Sequence, residues 1–169
     1  MSTKSESYAG IRNSYVELSG SEVTNCGFGG EVVYSTDIIA YNTYPCWYNW
    51  EMKTGSAEEM RANIRGCHEE IIRYFRGKYK DDRPIIVSES GVKADYGAHD
   101  PRGRAQYSEE FQAEYTRLML EEVFALKDIA GIAVWQLTDA KTYTRTKGMN
   151  SRPYGVNTGG LYDLYRRPK

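Results

Sequence analysis

Three short, unbroken apolar runs constrain this chain more than any other feature. They are Asp37-Ile38-Ile39-Ala40-Tyr41-Asn42, Pro84-Ile85-Ile86-Val87-Ser88-Glu89 and Gly131-Ile132-Ala133-Val134-Trp135-Gln136-Leu137. A continuous apolar run of this length suits a strand covered on both faces, the usual condition of a parallel sheet. Between the first two runs, Ser56 and Glu59 form a capping box. A single apolar stripe follows at spacings of three and four, through Met60, Ile64, Cys67, Ile71 and Phe75, and Gly77 closes it. Between the second and third runs, Ser108 caps a helix with Glu109 and Glu110 in its first turn, at the positive end of the dipole. Its stripe is Phe111, Tyr115, Leu118, Met119, Val123 and Leu126. Strand, helix, strand, helix, strand asks for an α/β fold with parallel strands and right-handed crossover helices.

The chain has 169 residues, enough for one core and too few for two ordinary domains. Residues 1–14 show no periodicity, Tyr15-Val16-Glu17-Leu18 is a short strand candidate, and residues 19–31 are rich in Ser, Gly and Asn. The expected division is an irregular segment with a possible strand over 1–31 and the folded unit over 32–169. A net charge of −1 gives no electrostatic reason to expect nucleic acid or an acidic membrane surface as partner. No apolar run reaches the length of a membrane span. The first residues, Met1-Ser2-Thr3-Lys4-Ser5-Glu6-Ser7, lack the apolar stretch of a signal peptide, so the compartment stays open. Cys26, Cys46 and Cys67 form no zinc pattern and no disulfide framework, and neither metal nor cofactor is expected.

Fifteen tyrosines and three tryptophans are an unusual load. They fit amphipathic packing, or a cleft in which aromatic faces meet the C–H faces of sugar rings. The cluster Tyr41, Tyr44, Trp47, Tyr48 and Trp50 is too dense and loop-like for a core strand. Glu89 has two readings as well. It is the first polar residue of a loop, or an acid at the end of a parallel strand, where βα-loops build active sites. His68 is expected on the surface, and His99 and Asp100 as ordinary loop residues. Asp139 either binds sugar hydroxyls or caps the turn after it.

Taken together and in order, Trp47-Tyr48, Ser88-Glu89-Ser90-Gly91 and Arg166-Arg167-Pro168-Lys169 resemble glycoside hydrolase family 2, which includes β-galactosidases, β-glucuronidases and β-mannosidases. The resemblance covers about residues 32–169. It implies a (β/α)8 TIM-barrel fragment, about strands 5–8. Residues 37–44 with Trp47-Tyr48 look like strand six and its loop, 84–91 like strand seven, and 131–139 like strand eight. The segment Gly160-Leu161 to Lys169 looks like the lead into the last helix. By this resemblance Glu89 is the nucleophile of a retaining double displacement and Tyr44 donates a hydrogen bond to it. Trp135 floors the sugar subsite, Trp47 and Tyr48 line its rim, and Asn42, Asp139 and Asn157 contribute to substrate binding.

The departures from the family pattern carry expectations too. The family's acid/base glutamate follows an asparagine, and no Asn-Glu pair occurs in this sequence. The last barrel helix and the family's N-terminal sandwich domains are not in it either. The chain is therefore expected to be a fragment or one piece of a multi-chain enzyme, completed by the remaining barrel half or by another copy. β-Glucuronidases carry an Asn-x-Lys signature where this chain has Asn157-Thr158-Gly159. The missing lysine points to a neutral sugar, such as a β-galactoside. The alternatives are a non-catalytic carbohydrate-binding or structural remnant, and a cellulase-like (β/α)8 hydrolase.

Overall fold

A computed structural model describes residues 38–47, 54–78, 80, 82–142 and 155–169. The expected irregular segment 1–31, Tyr48, Trp50 and part of the loop after Asp139 lie outside the described residues. Strands β1 (Ile39–Asn42), β2 (Ile85–Ser90) and β3 (Ile129–Val134) form a three-stranded sheet in the order β1-β2-β3. Both pairings are parallel. Helix α1 (Ala57–Arg73) connects β1 to β2, and α2 (Glu109–Ala125) connects β2 to β3. A short antiparallel pair, β4 (Ala140–Lys141) with β5 (Val156–Asn157), follows.

The caps form where the sequence puts them. Ser56 Oγ accepts the Glu59 amide at 3.1 Å, and Ser108 Oγ accepts the Phe111 amide at 3.2 Å. Each removes one of the orphan donors of a helix start. Both stripes are buried: Met60, Ile64, Cys67, Ile71 and Phe75 on the first helix, and Phe111, Tyr115, Leu118, Met119 and Val123 on α2. They pack over Ile39, Tyr41, Ile85, Val87 and Ile129 in one core. On the outer side of the helix pair, Arg61 bonds Glu121 and Glu122, and Arg65 reaches the same Glu122. The helices cover one face of the sheet. Ala40 and Ala133 are exposed and Ile86 is half-buried, so the strands are not covered on both faces among the described residues.

Four sequence expectations need correction. His68 is fully buried rather than on the surface, because its ring nitrogen Nδ1 meets the Tyr41 hydroxyl at 2.6 Å beneath α1. Gly77 does not end the first helix; the chain widens into a π-helical turn over Tyr74–Lys78. The third strand runs Ile129–Val134, earlier than its apolar run. Trp135 leaves the ladder there, gives its amide to Ser90 O at 2.8 Å and is joined to Gln136 by a cis peptide bond. Cys67 takes part in a disulfide, so the cysteines contribute a crosslink, while Cys46 is a buried thiol outside it that burial holds up at about 12.

One irregularity sits in the central strand. Tyr41 and Asn42 pair with Val87 and Glu89, and Ile132 and Val134 pair with Val87 and Ser90. On both sides β2 carries one residue more than its neighbour after Val87. This is a bulge, which breaks the in–out alternation and re-aims the side chains beyond it.

Candidate active site

The ends of three parallel strands bring the candidate residues to one edge. Asn42 closes β1, Glu89 stands one residue before the end of β2, and Trp135 follows β3 directly. Asn42 and Glu89 are register partners, and the Thr43 amide donates to Glu89 O at 3.0 Å. Ser88 Oγ donates to Asn42 Oδ1 at 2.7 Å. The Tyr44 hydroxyl donates to Glu89 Oε2 at 2.5 Å, in the short range of a hydrogen bond to an ionised acceptor. Glu89 is half-buried, neither sealed nor free to rotate into solvent.

Gly91 explains how Trp135 lies so near. A Cβ built on Gly91 would stand 2.1 Å from Trp135 O, a separation no side chain tolerates. The two strand ends therefore cross backbone to backbone only because residue 91 is glycine. The Trp135 side is 39% exposed, which leaves an indole at this edge open to a ligand. Its Cδ1 would be 3.5 Å from a Cβ on Gly159, so the ring lies alongside that turn.

The other sequence-predicted residues take different places. Trp47 packs edge-on against Tyr107 with ring centroids 5.0 Å apart and touches the core. Asp139 is buried; its Oδ1 accepts the Gly160 amide at 2.9 Å and the Lys169 ammonium at 2.8 Å. Asn157 Oδ1 accepts the Gly159 amide at 3.2 Å. Asp100, expected to be an ordinary loop residue, is buried and organises the loop after β2. It accepts the amides of Arg104 (2.9 Å), Ala105 (2.8 Å) and Arg102 (3.2 Å). Those bonds, Arg104 and Ala105 first, hold its carboxyl down at about 2. His99 is exposed and meets Glu110 at 2.9 Å. No group of His, Cys, Asp and Glu suited to a metal occurs among the described residues.

Two polar residues near this edge have no role of their own in the sequence analysis. Gln112 is buried on α2, and its Nε2 donates to the carbonyls of Val92 (2.9 Å), Gly160 (3.1 Å) and Gly159 (3.4 Å). A polar residue within an apolar helical stripe was the available signal. Lys169 is the other, and nothing in its local spacing marks it.

No protein-family model and no curated protein sequence matches the chain. Solved structures do. A GH2 β-galacturonidase from Eisenbergiella tayi with bound galacturonate is 27% identical, with a TM-score of 0.66 over 79% of this chain and 22% of its own. A Faecalibacterium prausnitzii β-glucuronidase is 29% identical, with a TM-score of 0.62 over 80% of this chain and 20% of its own. A Ruminococcus gnavus β-glucuronidase is 26% identical, with a TM-score of 0.60 over 79% and 20%. These neighbours are glycoside hydrolases, and the α/β fold of the chain is GH2-like. The chain spans about a fifth of the length of the structures it matches.

Proposed function

We propose that this chain is the C-terminal half of the catalytic (β/α)8 barrel, about strands 5–8, of a retaining β-glycosidase, and that Glu89 is its nucleophile. The observation that carries the reading is the Tyr44–Glu89 hydrogen bond at the C-terminal end of the central parallel strand, with Trp135 directly after the neighbouring strand. A carboxylate so held stays oriented for attack on an anomeric carbon. Glu89 attacks while a second carboxyl, about 5–5.5 Å away, protonates the leaving oxygen. The covalent glycosyl-enzyme then reacts with water, deprotonated by that same second carboxyl, and Glu89 leaves as a carboxylate. The second carboxyl is supplied from outside these residues. Asn42 and Trp135 line the sugar subsite, Trp135 as its floor, with Trp47 toward the rim. The uncovered sheet face fits the interior of a barrel that a remaining half, or a second copy, completes.

Two readings of the sugar rest on different observations. Asn157-Thr158-Gly159 holds no cation for a sugar carboxylate, which favours a neutral sugar such as a β-galactoside. The similar solved structures are a β-galacturonidase and β-glucuronidases, which favours a uronic acid. Initial rates on nitrophenyl β-galactoside, β-glucuronide and β-galacturonide separate them.

The nucleophile is tested in the complete enzyme that contains this chain. A fluorinated glycoside whose glycosyl-enzyme hydrolyses slowly should label Glu89. Glu89→Gln keeps shape and hydrogen bonding but removes the attacking anion, and should lower kcat by several orders of magnitude with folding intact. A label on any other residue, or near-normal turnover by Glu89→Gln, overturns the assignment. Sugar binding without label identifies a non-catalytic remnant instead.

A further inference from the structure

Lys169 is far in sequence from the three-stranded sheet, yet its ammonium joins the loops that follow β2 and β3 to the residue that follows β5. Its side chain is 1% exposed. Nζ donates to Ala94 O at 2.7 Å, to Asp139 Oδ1 at 2.8 Å and to Thr158 O at 2.9 Å. An ammonium has three donors, and each is used. The acceptors belong to the loop after β2, the loop after β3 and the residue after β5. A buried charge of this kind persists only when it is fully paired.

Those three acceptors bracket a single turn. Thr158 O, which also accepts the Ala94 amide at 3.1 Å, stands at its start. Asp139 Oδ1 accepts the Gly160 amide at its end. Between them Gly159 lies alongside the Trp135 ring, and Gly159 O accepts the Gln136 amide at 2.9 Å. Gly160 fits only as glycine, since a Cβ there would come within 2.1 Å of the Asp139 amide. Gly159 and Gly160 thus bring no side chain of their own to hold the turn against the indole.

We propose that Lys169 is a positioning residue for the sugar subsite: by clamping both ends of the Thr158–Gly160 turn, it fixes the Trp135 indole relative to Glu89. The inference rests on the reading of Trp135 as the subsite floor. A ring that contacts sugar in both ground and transition states contributes uniform binding. Its displacement therefore raises KM and leaves kcat largely unchanged.

The test uses the complete enzyme carrying 5-fluorotryptophan, with the Trp135 resonance assigned by its loss in Trp135→Phe. In Lys169→Met, KM should rise on the order of tenfold with kcat within about threefold. The Trp135 fluorine resonance should shift or broaden. Lys169→Arg should not rescue either readout, because a planar fork does not match three acceptors arranged around a point charge. If Lys169→Met does not fold, Asp139→Asn, which keeps the acceptor shape and removes the charge, is read in the same way. An unchanged KM together with an unmoved Trp135 resonance overturns the proposal, even where thermal stability falls. Failure of the wild-type enzyme to be labelled at Glu89 instead removes the functional reading, and the fluorine resonance still decides whether Lys169 holds Trp135.

Discussion

Beneath α1 and α2 the sheet is packed by Ile39, Tyr41, Ile64, Ile85, Val87, Phe111, Leu118 and Val123. At the C-terminal ends of the same strands, the chain is tied by Asp100, Gln112, Asp139 and Lys169. The first region is held by non-directional burial, which tolerates volume-conserving exchange. The second is held by hydrogen bonds to backbone carbonyls and amides, each of which fixes a direction as well as a distance. A reacting carboxylate and a stacking ring need fixed directions. The layer supplies stability and the edge supplies geometry.

The largest effect should come from the layer. Phe111→Ala removes a fully buried ring and should cost about 3–5 kcal/mol of unfolding free energy. The fall in urea midpoint measures it, and a loss below about 1 kcal/mol would mean the layer is not the principal source of stability.

His68 is a polar group inside the layer. Burial holds its imidazole down at about 4. Its Nε2 is buried without a hydrogen-bond partner among the described residues. The folded form therefore resists protonation more than the unfolded form, whose imidazole titrates near 6.5. Its contribution is fully present above about pH 6.5 and is lost as pH falls toward 4, a span worth about 3 kcal/mol. Replacing His68 by Phe should flatten that part of the pH–stability curve. An unchanged acid slope in His68→Phe would remove His68 as its cause.

The smallest effect should come from the edge. Gln112→Leu keeps the volume and leaves the Val92 and Gly160 carbonyls without their Gln112 donor, at a cost of about 1–3 kcal/mol. Hydrogen exchange should rise locally at the amides of the Thr158–Gly160 turn rather than across the helices. Uniform acceleration would place Gln112 with the packed layer instead.

The same division decides what was legible in the sequence. The strand–helix alternation, both caps and both stripes were readable, because burial under a helix imposes a period on neighbouring residues. The edge imposes none. Lys169 meets Ala94 across a separation of 75 residues, and Gln112 reaches Gly160 across 48. The juxtaposition of Tyr44 with Glu89 came from resemblance, not from spacing. His68 departs from its expected surface position for a related reason. On the helix it follows Cys67, at the margin of the apolar stripe, and only the Tyr41 hydroxyl opposite accounts for a polar ring in that position. The apolar run outlasts the third strand, because Trp135 and Leu137 extend it although Trp135 has already left the ladder.

The bulge in β2 has a consequence for anyone who would redesign this scaffold. Idealised strands are easier to specify than irregular ones, and the extra residue after Val87 is the kind of feature a regularising redesign removes. Deleting Ser88 would remove that extra residue, keep Val87 and Ser90 on the helix side, where Ser90 Oγ meets the Tyr115 hydroxyl at 3.3 Å, and leave Glu89 as the one residue between them. The Ser88–Asn42 hydrogen bond would be lost while the carboxylate kept its face. In this strand the irregularity is what lets two adjacent polar side chains, one bound to Asn42 and one to Tyr44, stand together at an edge where an even ladder has room for one.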